Sequence, residues 1–181
     1  DIQKPLNLNF DNQGRLWVTH TVEYPFPAKD AEQARDGLSI LSDIGPDGKA
    51  KTITRFADKL NIPIGVLPLA DPSEAIVWSI PHIWKLRDTD DDGRADQREV
   101  LYGAFDYKDT HGNQNAFRQG LDGWIYACHG FNNNSQIKLR GKGDAVLNLV
   151  SGNTFRFRPD GSAIERFSWG QINPFGLCWD S

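Results

Sequence analysis

Two short patterns recur along the chain and limit the folds open to it. The segment GRLWVTH, which ends at His20, aligns without a gap with GWIYACH, which ends at His129. A second pattern, LSDIGPDGKA, aligns with LRDTDDDGRA at an offset of 45 residues, which places Asp43 on Asp88. Self-similarity at a spacing of this order is typical of proteins built from repeated supersecondary units.

A third turn, in FRFRPDGSAIERF, extends the series at Asp160-Gly161. Each unit then contains a strand, a Gly turn, a strand that ends in His, a longer connection and a hairpin that turns at Asp-Gly. Four short strands in a unit of about 45–60 residues are typical of a β-propeller blade. The third unit is longer than the others, and the Gly/Asn-rich HGFNNNSQIKLRGKGD is the predicted insertion.

The sequence therefore predicts an all-β chain, a β-propeller of four-stranded blades with about three blades present. We place the blades near 5–60, 61–110 and 111–172, with the start of a fourth at 173–181, all in one partial domain over 1–181. An ordinary β-sandwich with similar hairpins is the alternative. Because propellers close with four or more blades, three would leave open sheet edges. We expect a longer parent chain, or a partner chain, to supply the remaining blades.

The stretch LRDTDDDGRADQREVL has the D-x-D-x-D-G-x-x-D-x-x-E spacing of a calcium-binding loop. Glycine at position 6 permits the sharp turn, and position 7 donates only its backbone carbonyl. The predicted ligands are Asp88, Asp90, Asp92, Arg94 (by its carbonyl), Asp96 and Glu99. The alternative is an acidic, solvated turn. Both flanks are rich in β-branched and aromatic residues, and Pro81 opposes a helix, so we expect the loop to join two strands.

Composition excludes some functions and leaves others open. The chain has 181 residues and a net charge of −4, and it contains no basic run, which argues against a nucleic-acid partner. No apolar run approaches the roughly 18 residues of a transmembrane segment. The start at Asp1 and the lack of methionine suggest a processed or excised segment. Cys128 and Cys178 are either free and buried or joined in one disulfide, and they do not determine the compartment.

Strand direction divides the predicted motifs between two faces. In a four-stranded antiparallel blade, the connection from the second to the third strand and the connection to the next blade lie on the same face of the propeller. His20 and His129 follow second strands, and His111 and Asn173 precede first strands, so all four are predicted on this face. The calcium hairpin joins third and fourth strands and lies on the opposite face. Histidine suits proton transfer near neutral pH, and Asp109 could orient His111. The alternatives are structural hydrogen bonds, or a metal site made by the three histidines.

The segments DTHGNQNAFRQGLDGWIYACHG, FRFRPDGS and FSWGQINPFGLCWD resemble the membrane-bound dehydrogenase domain of planctomycete-type bacteria. That domain is itself similar to the soluble glucose/sorbosone dehydrogenases that use pyrroloquinoline quinone (PQQ). The resemblance runs through nearly the whole chain and implies a six-bladed propeller, of which this chain would be the first half.

The resemblance also implies roles for individual residues. His111 matches the general base that takes the proton from a sugar hydroxyl, and Asp109 lies one residue from the position of its acidic partner. Asn173 matches the asparagine of an R-N-P-x-G-L motif that reaches the cofactor, and Ile172 replaces the arginine of that motif. We also assign His129 to the cofactor site. Family members often carry a c-type haem domain, whose Cys-x-x-Cys-His motif is absent from this chain.

Two functions from different classes follow. In the first, the chain is part of a periplasmic or extracellular dehydrogenase that oxidises a sugar or related alcohol or aldehyde, with calcium and a quinone as cofactors. Membrane association would then come through another part of the parent. In the second, the same face of a calcium-stabilised propeller binds a glycan or a protein without redox chemistry. A purely structural scaffold is a third reading. A cationic pocket around His111 would distinguish the enzyme from the binding module.

Overall fold

A computed structural model describes residues 2–139 and 146–179 of the chain. The chain divides into two compact units, and each is described by itself. The first unit contains residues up to Ile80 together with Trp84–Glu99, and the second contains Pro81–Ile83 and everything from Val100 onward. The described residues form β-strands and two short 3₁₀ turns, and none of them lies in an α-helix. None of these residues forms a helix that is long and apolar enough to span a membrane.

The first sheet is an antiparallel meander of four strands in the order β1-β2-β3-β4. Its strands are β1 (Pro5–Phe10), β2 (Leu16–His20), β3 (Asp36–Ile44) and β4 (Ala50–Leu60). The turn between β1 and β2 passes through Gly14 at φ +77°, a left-handed conformation that favours glycine. The predicted strand LWVTH thus ends at His20, as the repeat indicated.

The second sheet has the order β5-β6-β7-β8. Its strands are β5 (Val66–Pro68), β6 (Glu74–Ser79), β7 (His82–Arg87) and β8 (Gln97–Gly103). Every residue of β6 is buried, which explains the apolar run AIVW at its centre. Within the first unit, Trp17, Phe56, Val77 and Leu86 belong to one apolar core cluster. The Trp17 and Phe56 rings meet edge to face, with centroids 4.7 Å apart.

The third sheet has the order β14-β13-β10-β9 and is interrupted by an extra hairpin. Its strands are β9 (Asn115–Gln119), β10 (Ile125–His129), β13 (Asn153–Phe157) and β14 (Ile164–Ser168). The hairpin consists of β11 (Asn134–Lys138) and β12 (Val146–Val150), which pair only with each other among the described strands. The predicted insertion, residues 129–144, contains β11 but ends before β12, and its residues 140–144 lie outside the described residues.

The three predicted repeat turns, at Asp47-Gly48, Asp92-Gly93 and Asp160-Gly161, each join the third and fourth strands of a sheet. Gly48, Gly93 and Gly161 have φ of +77°, +85° and +77°, respectively. The prediction of an all-β chain of four-stranded antiparallel blades, a partial β-propeller, is confirmed, and the β-sandwich alternative is not supported. Residues 173–179, where we predict the start of a fourth blade, are irregular.

Candidate functional site

The first candidate site is the metal hairpin, residues 88–96 between β7 and β8. Asp88 is only 8% exposed and organises the turn with both carboxylate oxygens. Its Oδ1 accepts a hydrogen bond from the Asp91 backbone N–H (2.9 Å), and its Oδ2 accepts one from the Gly93 N–H (2.8 Å). The loop is therefore curled in the way that a metal-binding turn requires.

Three of the predicted ligands converge in this hairpin. Asp88, Asp90 and Asp92 each offer a carboxylate oxygen, and these oxygens lie within 4.8 Å of one another. The negative charge of Asp92 raises the pKa of the Asp90 carboxyl above its ordinary value. Mutual repulsion of this kind is relieved when a cation binds between the carboxylates.

The other predicted ligands have different surroundings. Asp96 Oδ2 accepts a hydrogen bond from Thr89 Oγ1 (2.6 Å). Glu99 lies on β8 and does not belong to the carboxylate group found among the described residues. The Arg94 guanidinium pairs with Asp58 Oδ2 (2.7 Å) on β4. The structure thus brings together three of the five predicted side-chain ligands.

The metal hairpin also contacts the neighbouring sheet of the first unit. The Ala95 N–H donates to the carbonyl of Phe56 on β4 (2.8 Å), and the Arg94 guanidinium pairs with Asp58 of the same strand. A hypothetical Cβ on Gly93 would lie 3.0 Å from the Thr54 side chain, so the turn approaches β4 closely. A metal that stiffens this hairpin would therefore stabilise the attachment of one blade to the next.

The second candidate site is the histidine site, which we define by Asp109, His111, Gly130 and Asn173 in the second unit. Asp109 caps the 3₁₀ turn Thr110–Gly112. Its Oδ1 accepts a hydrogen bond from the His111 backbone N–H (3.0 Å) and lies 3.0 Å from His111 Nδ1. Asn133 Oδ1 accepts a hydrogen bond from the Asp109 N–H, and Asn133 Nδ2 donates one to the Asp109 carbonyl, each at 2.9 Å. The carboxylate is therefore positioned to orient the imidazole.

Close backbone packing brings Asn173 to the same place. Asn173 Oδ1 accepts a hydrogen bond from the Phe131 N–H (3.0 Å), and the Gly130 N–H donates to the Gly112 carbonyl (3.0 Å). A Cβ on Gly130 would lie 2.6 Å from Asn173 Oδ1 and 2.8 Å from Gly112 Cα, so this position requires glycine. The turn that carries His111 and the loop that carries Asn173 thus meet at Gly130.

The other strand-end histidines are buried. His129 is fully buried, and its Nε2 lies 2.8 Å from Ser135 Oγ. Burial lowers the pKa of His129 to about 4, so it is neutral at physiological pH. His20 Nε2 lies 3.1 Å from Ser39 Oγ, and burial lowers its pKa as well. Across 2–139 and 146–179, no group of three metal-ligating side chains includes a histidine.

Three adjacent amides next to His111 were missed by the sequence analysis. Asn113 and Gln114 are fully buried, and Asn115 is 1% exposed. Neither polar atom of the Asn113 or Gln114 side chain has a hydrogen-bond partner within the described part of the chain. The same is true of Asn115 Oδ1 and His129 Nδ1. Buried polar groups without partners are costly and rare, and they are often found at functional sites.

The NQN run just before an apolar strand was the available signal for these amides. Strand β9 is also strained at this end, because Ala116 has φ +57°. Backbone strain in a non-glycine residue persists where the surrounding structure enforces it, commonly at ligand sites.

The two cysteines are free, so the disulfide alternative is wrong. Cys128 is buried as predicted for a free cysteine, whereas Cys178 is exposed.

Comparison with known proteins assigns the chain to a family. Residues 1–181 match the family model described as Domain of unknown function (DUF7133). The chain belongs to this family. None of the curated proteins matches its sequence.

A solved structure shares the fold of this DUF7133 chain. The chain is similar to the holo form of the PQQ domain of pyranose dehydrogenase from Coprinopsis cinerea, with a TM-score of 0.54 and 11% sequence identity. The alignment covers 92% of this chain and 48% of that chain, so the DUF7133 chain spans about half the length of that domain. At this identity, the likeness shows the fold alone.

Proposed function

We propose that the chain is part of a propeller dehydrogenase that oxidises a sugar or a related alcohol or aldehyde with a quinone-type cofactor. The observation that carries the proposal is the Asp109–His111 pair beside Asn173, in a fold that is similar to a PQQ-binding domain. The more specific likeness to the membrane-bound domain of planctomycete-type bacteria stays a prediction.

The geometry supports His111 as the general base. A carboxylate next to Nδ1 favours the tautomer that carries a proton on Nδ1, because Asp109 Oδ1 can then accept that hydrogen bond. The atom that takes the proton from a substrate hydroxyl is then Nε2. As His111 becomes positively charged, the Asp109 carboxylate stabilises it, in the way that a buried aspartate stabilises the histidine of a catalytic triad.

The residues around His111 fit a quinone in part. A quinone, when bound, would accept the two electrons of the oxidised hydroxyl carbon as a hydride. Asn173 Oδ1 is bound to the Phe131 N–H, so Asn173 would offer its Nδ2–H to an oxygen of the cofactor. The buried amides that follow His111 in the sequence (Asn113, Gln114 and Asn115), together with buried His129, would supply further polar groups around the site. Ile172, which is 76% exposed, brings no charge, so we propose that blades outside this chain supply cations for an anionic quinone.

The test is a titration of the full-length parent with PQQ and calcium, followed by absorbance and by reduction with aldoses. Saturable binding with sugar-dependent reduction would support the dehydrogenase. A folded, calcium-loaded protein that binds no quinone would contradict it. Lys108→Ala serves as a control variant for His111→Ala, because Lys108 is an exposed neighbour outside the Asp109–His111 pair.

We further propose that the metal hairpin binds calcium. Asp88, Asp90 and Asp92 would bind first, and their oxygens already lie within 4.8 Å of one another. The Arg94 carbonyl, Asp96 and Glu99 would complete the set, since calcium takes six to eight oxygen ligands. Asp96 would bind through Oδ1, because its Oδ2 accepts a hydrogen bond from Thr89.

A binding module for a glycan or protein is the second candidate function. Ile172 favours it, because an exposed aliphatic residue replaces the expected cation. Phe131 and Trp169, which are 47% and 72% exposed, would suit such a surface. Failure of quinone binding together with saturable binding of a glycan would support this function.

We propose that further blades, in the parent or in a partner chain, complete the ring. The chain covers 48% of the aligned PQQ domain, and a six-bladed ring would need about three more blades. A c-type haem domain elsewhere in the parent would take electrons from the quinone. A periplasmic or extracellular location, with any membrane association through another part of the parent, agrees with this proposal.

A further inference from the structure

A cleft of about 210 Å³ lies within the first unit and shares no residue with the metal hairpin or the histidine site. Buried and half-buried apolar side chains form its floor: Leu60, Ile80, Trp84 and Leu86. Exposed charged side chains form its rim: Glu32, Lys59 and Arg98. A concave site with an apolar floor and a few polar groups is the usual form of a small-molecule site.

Hydrogen bonds fix the walls of this cleft. Asn61 is 5% exposed, and its side chain exchanges two hydrogen bonds with the Ala28 backbone, at 3.1 and 3.0 Å. The Asn61 N–H donates to Ser79 Oγ (2.8 Å), and Trp84 Nε1 donates to the Ser79 carbonyl (3.1 Å). The indole ring is therefore held in place before any ligand arrives, which lowers the entropic cost of binding.

Backbone strain is concentrated at the same edge. Lys59 has φ +52° and Ile62 has φ +47°, and Ile62 is fully buried. A β-branched residue in this conformation is a genuine outlier. The Asp36 carboxylate holds Ile62 by accepting its N–H at 2.9 Å. Strain that the fold enforces in this way clusters at ligand clamps, which is a second reason to treat the cleft as a binding site.

The size and charge of the cleft define its ligand. Pockets for drug-sized molecules occupy roughly 300–1,000 Å³, so this cleft suits a single ring. Lys59 is already paired with Glu32 (2.6 Å), whereas Arg98 forms no ion pair within residues 2–139 and 146–179. Arginine is well suited to bind carboxylates. We propose that the cleft binds a six-membered ring that carries one carboxylate, with the ring on the apolar floor and the carboxylate at Arg98.

Calorimetric titration of the full-length protein tests this proposal with two matched pairs of probes. Benzoate is compared with benzyl alcohol, and glucuronate with glucose. Saturable binding of benzoate would identify the ligand class as an aromatic acid, and saturable binding of glucuronate would identify it as a hexuronate. In either case we expect the Arg98→Gln variant to bind the acid at least about tenfold more weakly, since one charge-assisted hydrogen bond is lost.

Arg35→Gln is the control variant, because Arg35 is an exposed arginine of the same unit that does not line the cleft. It should bind the acid as the unmodified protein does. A sugar or an alcohol would also bind the proposed dehydrogenase site, so the comparison of variants is decisive. An affinity for the acid that is unchanged in Arg98→Gln, or reduced equally in both variants, would overturn the proposal. Absence of saturable binding by both acids would overturn it as well. Quinone binding is not involved in any of these outcomes.

Discussion

The His111 side chain is 63% exposed, so its removal should change chemistry rather than packing. We expect His111→Ala in the full-length parent to lower sugar-dependent turnover by about 10²–10⁴-fold, the usual contribution of a general base. The melting temperature should stay the same, because few contacts are lost. Steady-state kinetics and thermal melts of His111→Ala and Lys108→Ala measure both quantities. Undiminished turnover in His111→Ala would contradict the assignment of the base.

The buried His129 predicts a loss of stability in acid. Its pKa of about 4 lies below the value of about 6.5 in an unfolded chain, so between these values the unfolded state binds a proton that the folded state does not. The free energy of unfolding should therefore fall as pH decreases from about 6.5 to 4, by about 3 kcal/mol from this group. Urea unfolding at pH 7 and pH 4.5 measures the change.

His20 and His82 also have pKa values lowered mainly by burial, so they contribute in the same direction. The contribution of His129 is isolated by comparison with His129→Gln, which keeps a polar side chain opposite Ser135. That variant should lose less stability between the two pH values than the unmodified protein. An identical loss in both proteins would show that His129 does not titrate as its burial indicates.

Strand order and the family resemblance singled out Asp109, His111 and Asn173, whose catalytic and cofactor roles stay predictions. The structure brings the regions of His111 and Asn173 together at Gly130. The unpartnered amides were not predicted. Their burial depends on strand β9 being enclosed by the rest of the second unit, which local sequence does not encode.

Among the elements, the metal hairpin carries the most direct test. Calcium that binds only the folded state should raise its stability by about 2.7 kcal/mol at a concentration of 100 times the dissociation constant. Chelation should remove this increment, and Asp90→Asn should prevent it. Because the charge of Asp92 already raises the pKa of Asp90, we expect Asp90→Asn to leave the metal-free protein no less stable.

The earlier hairpin of the first blade offers a matched control. Asp47 is an exposed aspartate at the equivalent turn, where it accepts the Lys49 N–H (3.1 Å). Melting curves with calcium and with chelator should respond equally in Asp47→Asn and in the unmodified protein. A calcium response that survives Asp90→Asn, or equal melting with and without chelator in the unmodified protein, would contradict the calcium assignment.

Hairpins and strand order were predictable because Asp-Gly turns and alternating apolar residues are local signals. The side-chain pairing within the metal hairpin was not. The loop motif assigns Asp96 and Glu99 to the metal, yet Thr89 contacts Asp96, and Glu99 lies on a strand whose position depends on sheet pairing. The docking of Arg94 on Asp58 joins residues of two sheets, and no pattern within either sheet specifies it.

For the whole molecule, exposed apolar surface predicts association. Trp169, Ile172 and Phe175 follow the last strand and are 72%, 76% and 61% exposed, an unfavourable arrangement unless another surface covers them. Residues 1–181 expressed alone should therefore self-associate and bind a hydrophobic dye, whereas the full-length parent should not. Replacement of Trp169 and Ile172 by serine should reduce both effects in the short chain. Light scattering after gel filtration measures the association, and a monodisperse monomer that binds no dye would show that these side chains need no further blade to cover them.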